Sequence, residues 1–427
     1  MNDLHFDIAV LGGGPAGMMA AGRAAELGAK VVLLEKNRTL GKKLLITGGG
    51  RCNILHAEFD THRLVEKYGK KGKALFSTFS QFDAQATREF FESRGLAIKI
   101  EAEQRAFPVS EKAEDVHRTM VQYMKTHGVE VRTNAIVKKL DARDGKIIGV
   151  KLIDGDVTAD RYIVATGGKS HPETGSTGDG FVWMKSLGHT VIQPDPALVP
   201  VALKDTWTRE LAGISLKKVK LTVMQDGTKK TTAIGKMLFT HVGISGPLVL
   251  NMSKAIGELL HSGEVTLLLD LFPMMDPGAL DALLLEKFER EKNKLIKNTL
   301  GMIVPPRLGR ATLMLAAIPP ETPLYRLTRP QRLAFARMLK ALPLSVAGLL
   351  GTDKAVVTGG GVDLREVVFK TMKSKLYENL YLAGDILDFD RPSGGFSLQI
   401  CWTTGFVAGS SAGVPACEAE GQRTLKK

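Results

Sequence analysis

The sequence predicts an α/β protein in which a Rossmann-like dinucleotide-binding sheet is interrupted by a β-rich and helical insert, and three observations carry that prediction. The first is a short apolar run, Asp7 to Leu11, that passes straight into G-x-G-x-x-G at Gly12, Gly14 and Gly17. The second is a helical stretch followed by another apolar run that ends in an acid, Glu35. The third is the return of short apolar strands much later in the chain, Arg161 to Thr166 and Leu380 to Ala383, each closed by glycine. With 45 glycines in 427 residues the glycine pattern alone arises easily by chance, so the strand, helix, strand and acid in register give it its weight.

Each part of the fingerprint has a physical job. Gly12 makes the tight turn, Gly14 lets backbone approach a pyrophosphate, and Gly17 permits close helix-to-strand contact. Phosphates then sit on free N–H groups at a helix N-terminus. Pro15 to Leu27 is a small-residue helix containing Ala16, Ala20, Ala21, Ala24 and Ala25, with Gly28 as its stop. Lys30 to Leu34 is the second strand. Glu35, about 20 residues past the glycines, is placed to accept hydrogen bonds from ribose hydroxyls and argues against a 2′-phosphate there. Lys36 follows it at the strand end as a further candidate cofactor contact.

Asn37 to Asn53 is rich in glycine and cations. Such a segment can wrap phosphates or cover a bound ring, with Lys42, Lys43 and Arg51 as anion contacts and Gly50 and Cys52 beside them. Residues 61 to 127 read as helices interrupted near Ile98 to Val109. Val129 to Thr133, Ala135 to Leu140, Ile147 to Ile153 and Val157 to Ala159 read as short strands of a meander. Arg161 to Thr166 is a further strand closed by Gly167-Gly168, and Gly175 to Gly180 opens a helix running to Leu187.

Pro194, Pro196 and Pro200 mark a boundary near residue 195. Beyond it, Val219 to Gln225 and Thr231 to Ile234 alternate as in an antiparallel sheet, with Met237 to Pro247 as a loop. Asp276 to Leu342 reads as short helices cut by Pro305-Pro306 and Pro319-Pro320. Ala355 to Gly361 returns the chain to the first domain, and Pro392 to Gly409 is a glycine pair opening an apolar helix. The expected division is therefore 1–195 with 355–427 as the nucleotide domain, 196–275 as a β-rich insert and 276–354 as its basic helical part.

Composition narrows the class. Apolar content of 44% and charged content of 24% are ordinary for a globular chain. The first strand begins at residue 6 without a basic and apolar leader, and no apolar run reaches the 18 or so residues that span a bilayer, so a cytoplasmic protein without a membrane partner is expected. Cys52, Cys401 and Cys417 form no C-x-x-C, which suits a reducing compartment and no metal site. The net charge of +13 is uneven: 12 Lys and Arg stand against 4 Glu between Glu286 and Lys340, a local excess of +8. A field concentrated in that way favours a polyanionic partner, although a solvated helical face gives the same count.

Three separated signatures, the fingerprint with Glu35, Ala165-Thr166-Gly167, and Ala383-Gly384-Asp385, resemble an FAD-binding fold of the glutathione-reductase type. More narrowly, residues 41–53, 165–168, 174–180, 238–247, 358–362 and 383–399 resemble the BaiN/RdsA family of FAD-dependent oxidoreductases over nearly the whole chain. The resemblance implies a discontinuous FAD domain with one insert. The chain departs from the family pattern at Leu55-His56, where the family commonly has Thr-Asn, and at Ser397, where Asn is common. Thr166 and Gly167 on one strand end and Gly384 and Asp385 on the other are the implied cofactor contacts. Asp385 can hold ribitol hydroxyls, while the helix opening at Gly394, Gly395, Phe396 and Ser397 offers N–H groups and partial positive charge to the flavin edge.

No second G-x-G-x-x-G lies between a strand and a helix, so an NAD(P)H reductant must use the substrate cleft transiently. Hydride transfer to an electron-poor carbon requires a proton donor for its neighbour. Cys52, with Arg51 nearby to lower its pKa, and His241 in the Phe239-Thr240-His241 loop are the candidates, with His171 after them. The resemblance implies reduction of carbon–carbon double bonds, including uridine to dihydrouridine in ribosomal RNA; independently, the +8 segment favours a nucleic acid substrate, with Arg326, Arg329, Arg332 and Arg337 as phosphate contacts. A small-molecule enone reductase or amine oxidase, an FAD- and folate-dependent RNA methyltransferase, and a non-catalytic RNA-binding flavoprotein are the alternatives. Oligomeric state is not legible.

Overall fold

The computed structural model describes residues 5–351 and 357–414, leaving out the side chains of 195, 196 and 357; Cys417 and most of the stretch before Thr358 therefore lie outside it. The chain divides into two compact units, Met1–Pro196 with Ala355–Lys427, and Ala197–Lys354. Among the described residues no helix is long and apolar enough to cross a membrane.

The first unit is built on strand β1, His5–Leu11, whose Ile8, Ala9 and Val10 are fully buried. It pairs in parallel with β2, Val31–Leu34, on one side and with strand Asp156–Val164 on the other. The sheet continues beyond these to Glu130–Arg132 at one edge and, on the other side, through Leu380–Leu382 and Lys373–Ser374 to Val367–Val368. Strands covered on both faces by helices read as continuous apolar runs, which is why Val31–Leu34 shows no alternation. The stretches Val157–Ala159 and Arg161–Thr166, read as two strands, are one. Its first two residues pair antiparallel with Lys146–Leu152 and it runs beside β1 from Thr158 to Val164, so a single strand makes both pairings and Asp160 does not break it.

Helix α1, Pro15–Glu26, packs on the C-terminal helix Phe396–Gly413 through small residues on both. A Cβ on Gly405 would lie 2.4 Å from the Ala16 carbonyl oxygen, and one on Gly409 would lie 2.5 Å from that of Ala20. Backbones approaching this closely leave no room for side chains. The alanine run of α1 and the glycines spaced by four in the last helix are therefore one interface written twice in the sequence.

The region 61–127 contains helices Thr61–Lys67, Ala84–Glu92 and Ala113–Thr126. Its interruption is a hairpin, Ile98–Glu101 against Arg105–Pro108, to which Leu55–His56 adds a third strand.

The second unit holds a closed six-stranded barrel in the order Val201–Leu203, Gly243–Ser245, Thr228–Phe239, Ser215–Gln225, Val265–Asp270 and Leu342–Leu349. Two readings change here. The supposed loop 237–247 consists of strand ends separated by residues 240–242, and Pro247 opens a 14-residue helix, Pro247–Leu260. The stretch after 276 is not helical to its end, because Leu342–Leu349 returns to close the barrel between Val265–Asp270 and Val201–Leu203. Before it come helices Pro277–Arg290, Pro306–Leu315 and Arg329–Lys340, two of them starting on proline, where a missing N–H costs nothing. They share a core of Leu280, Leu284, Phe288, Leu313, Phe335 and Leu339.

Candidate cofactor and active site

A cavity of about 380 Å³ opens at the C-terminal ends of the parallel strands of the first unit. This is where ligands bind in open α/β sheets, because loops diverge and helix N-termini point inward there. Its floor is the turn from β1 into α1, with Gly12, Gly14, Pro15 and Ala16 on the wall. Gly12 has φ +106°, and a Cβ there would lie 2.5 Å from the Ala165 carbonyl oxygen, so only glycine fits. Position 14 is different: nothing lies within 4 Å of a Cβ built there, and its missing side chain keeps the helix N-terminus open. Gly14 caps α1 without any side-chain hydrogen bond, leaving its first N–H groups for an anion. Gly17 is not on the wall; its Cβ would fall 1.8 Å from the Gly12 carbonyl oxygen, so it serves the packing beneath.

Glu35 is buried on the same wall and is already engaged. Its Oε2 accepts the Gly13 N–H at 2.7 Å, and its Oε1 accepts from the Asn37 backbone and side chain at 2.8 and 2.7 Å. A carboxylate has about four acceptor positions, so roughly one remains for a ribose hydroxyl. A smaller cleft continues from the cavity, sharing Gly12, Glu35, Thr166 and Gly175 and reaching Trp183. Lys36 lies there, paired with Asp179 at 2.6 Å and bonded to Thr177.

The opposite wall comes from the glycine-rich segment and from the residues after Ala165-Thr166-Gly167. Lys43 lines the cavity and donates to the Ser170 carbonyl at 2.6 Å and hydroxyl at 3.0 Å. Burial lowers the pKa of its amine, and the charge of Asp385 opposes that shift. Thr166 Oγ1 is buried with no hydrogen-bond partner. Asp385 lines the cavity and is ion-paired with Arg391, whose side chain has no exposed surface. Ser397, Leu398 and Cys401, from the first turns of the C-terminal helix, complete the wall.

Several candidates stand elsewhere. Cys52 is fully buried, and that burial pushes its thiol up to about 12, the reverse of an activated cysteine. Arg51, expected to activate it, is turned away into a cluster with Glu101 and Glu111 and lies over the Phe107 ring at 4.1 Å. Gly50 is not on the wall, whereas its neighbours Gly48 and Gly49 are. Gly384 and Gly395 are packing positions: a Cβ would meet Ala16 at 2.8 Å and the Leu55 backbone at 2.4 Å. Gly394 is likewise off the wall, and Phe396 is buried with His56 stacked on it at 4.2 Å. His241 belongs to the other unit, exposed between two barrel strands. Among the four arginines, Arg326, Arg329 and Arg337 are exposed, while Arg332 is held by Asp281 through bonds of 2.7 and 3.2 Å and is not free to meet a phosphate. Residues not singled out include Asn37, Thr174, Ser176 and Arg391; the glycine-rich run 174–180 is the signal for Thr174 and Ser176, and the run 37–53 for Asn37.

The residues present fit an adenine dinucleotide: an uncapped helix N-terminus behind Gly14, an acid beside it, and on the same wall Thr166, whose buried hydroxyl has no partner. The HI0933-like protein Rossmann domain matches residues 6–411. The chain belongs to the HI0933-like family. A 3-dehydro-bile acid delta(4,6)-reductase of Clostridium scindens is 31% identical, covering 95% of this chain and 98% of that protein. Ribosomal RNA dihydrouridine synthases of Escherichia coli and Haemophilus influenzae are 28% and 25% identical, each covering 94% of this chain and 97% of theirs. Among solved structures, a 3-ketosteroid-delta4-(5alpha)-dehydrogenase of Rhodococcus jostii has a TM-score of 0.54 at 15% identity over 97% of this chain and 98% of that one. A flavocytochrome c3 fumarate reductase has 0.52 at 17% identity over 96% and 78%.

This HI0933-like protein therefore has the Rossmann-type FAD-binding α/β fold with an inserted unit, and it is an FAD-dependent oxidoreductase. FAD supplies hydride transfer when bound. Gly12 to Ala16 and the start of α1 would hold its pyrophosphate, Glu35 its adenosine ribose, and Thr166, Lys43 and Asp385 the remainder.

Proposed function

We propose that this protein reduces a carbon–carbon double bond conjugated to a carbonyl, and that the bond is the uracil 5,6 bond of ribosomal RNA, giving dihydrouridine with NAD(P)H as electron donor. The observation that carries the RNA reading is the charge of the second unit. Arg310, Arg326, Arg329 and Arg337 are exposed and make no ion pair among the described residues, in a segment with an excess of +8. Cations free of acidic partners can neutralise phosphates and release counterions, which a laced salt-bridge surface cannot. Two relatives named as ribosomal RNA dihydrouridine synthases point the same way.

Mass spectrometry of ribosomal RNA nucleosides after deletion of the gene tests the reading. Loss of one dihydrouridine, restored by the intact gene and poorly by a triple Arg326→Ala, Arg329→Ala, Arg337→Ala variant, is expected. Unchanged dihydrouridine defeats it. Each arginine removed should also reduce the salt slope of RNA binding by about 1.

A small enone is the second reading, favoured by the bile acid reductase at 31% identity. Both substrates offer an alkene polarised by a carbonyl. Oxidation of the reduced protein by a 4-en-3-one steroid but not by RNA selects it.

A further inference from the structure

Reduction of such an alkene needs a proton on carbon, and the buried Cys52 is not on the cavity wall. His171 is. Four features of its surroundings converge. Its backbone is left-handed, at φ 51° and ψ 62°, a conformation that side chains with a Cβ rarely adopt and that persists only where neighbours hold it. The neighbours do hold it: the His171 carbonyl accepts both the Thr174 N–H at 2.9 Å and the Thr174 hydroxyl at 2.7 Å. On the other side, Lys43 donates to the carbonyl of the preceding residue, Ser170, at 2.6 Å. Finally, the ring is oriented by a carboxylate, with Nδ1 2.8 Å from Glu173 Oε1.

We propose that His171 is the proton donor of this oxidoreductase and that Glu173 is its positioning residue. The proposal rests on the reading that the substrate is an alkene conjugated to a carbonyl, and it holds for uracil and for an enone alike. A carboxylate on Nδ1 keeps that nitrogen protonated and leaves Nε2 for the substrate. The bond to His171 in turn lowers the pKa of Glu173, which keeps it ionised. The other charged groups on the cavity wall are Glu35, Lys42, Lys43 and Asp385.

In the reaction the carbon–carbon π bond breaks. The carbon β to the carbonyl would form its C–H bond with the hydride that reduced FAD supplies when bound, and the displaced electron pair would move onto the carbonyl oxygen as an enolate. The α carbon then forms its C–H bond with the proton of His171 Nε2–H, leaving neutral imidazole with Nδ1–H still on Glu173. A nicotinamide restores the two electrons, and water restores the proton.

The test uses the holoenzyme reduced beforehand with dithionite and mixed with alkene or with oxygen, which needs no proton on carbon. In His171→Gln the ratio of alkene to oxygen rates should fall about 10²- to 10⁴-fold, the span of general acid catalysis. Glu173→Gln should lower the ratio and Glu173→Asp restore part of it. An unchanged ratio in His171→Gln overturns the proposal. If neither ribosomal RNA fragments nor a 4-en-3-one steroid oxidises the wild-type protein, the substrate reading has failed. His171 is then judged by ¹⁵N-histidine NMR titration of the FAD-loaded protein. In its neutral ring Nδ1 must carry the proton, and Glu173→Gln must move the tautomer toward Nε2–H. A ring indifferent to Glu173→Gln overturns the proposal independently of substrate.

Discussion

The Gly13 N–H donates to Glu35 Oε2 at 2.7 Å, tying the glycine turn after β1 to the acid after β2. The residue read as a ribose acceptor is thus also the clamp that shapes the phosphate turn. Glu35→Ala removes an acceptor for three donors at once. It should therefore loosen the turn as well as the ribose. Bonds to a carboxylate contribute about 1.5–3 kcal/mol each, so we expect a lower melting temperature in the apoprotein and loss of FAD on gel filtration. Full FAD retention with unchanged melting would show that the clamp is dispensable.

The packing of Gly409 on Ala20 gives a second expectation. A side chain at 409 meets the Ala20 carbonyl oxygen at 2.5 Å, and both helices are buried too well to move apart freely. Gly409→Val should cost about 1–3 kcal/mol or more, read as a lower urea midpoint at constant slope. Because α1 carries the phosphate-binding N-terminus, FAD affinity should fall with it. An unchanged midpoint would refute the close contact.

Cys52 should be chemically silent. With its thiol held near 12 by burial, only a minute fraction is thiolate at pH 8, and nothing reaches it from solvent. Native protein should react with iodoacetamide at Cys52 far more slowly than urea-unfolded protein, and Cys52→Ala should turn over normally. Fast native labelling, or a dead Cys52→Ala enzyme that still binds FAD, would return this cysteine to the mechanism.

Lys43 supplies a pH dependence whose sign can be worked out. Burial lowers its folded-state pKa below 10.5, so between the two values the unfolded chain binds more protons than the folded one. Stability of the apoprotein should accordingly rise with pH across that window, and a constant penalty should remain below it. Lys43→Met should remove the rise and stabilise the apoprotein at neutral pH while weakening FAD binding. Thermal melts of both proteins between pH 7 and 10.5 check this; parallel curves would mean that the amine is not desolvated.

The sequence by itself determined the nucleotide-binding half of this protein, because its requirements are local. A turn that needs φ +106° at Gly12, a helix N-terminus left uncapped at Gly14 and an acid one strand later are read within about 25 residues, and their spacing is set by covalent geometry. The alanines of α1 and the glycines at 405 and 409 were legible as small-residue helices. That they face each other was not, since nothing in either stretch names its partner.

Only the tertiary structure decided the chemistry. Cys52 and Arg51 are adjacent in sequence yet point to a core and to an acidic cluster, because hairpin pairing with Arg105–Pro108 sets the direction of the segment after them. Among Arg326, Arg329, Arg332 and Arg337, Arg332 alone is hydrogen-bonded by Asp281, some 51 residues away. Arg391 behind Asp385, and Lys43 beneath the strained backbone of His171, are long-range contacts of the same kind. Burial and charge pairing set whether a titratable side chain is an acid, an anchor or inert, and both are properties of the folded surroundings rather than of the residue.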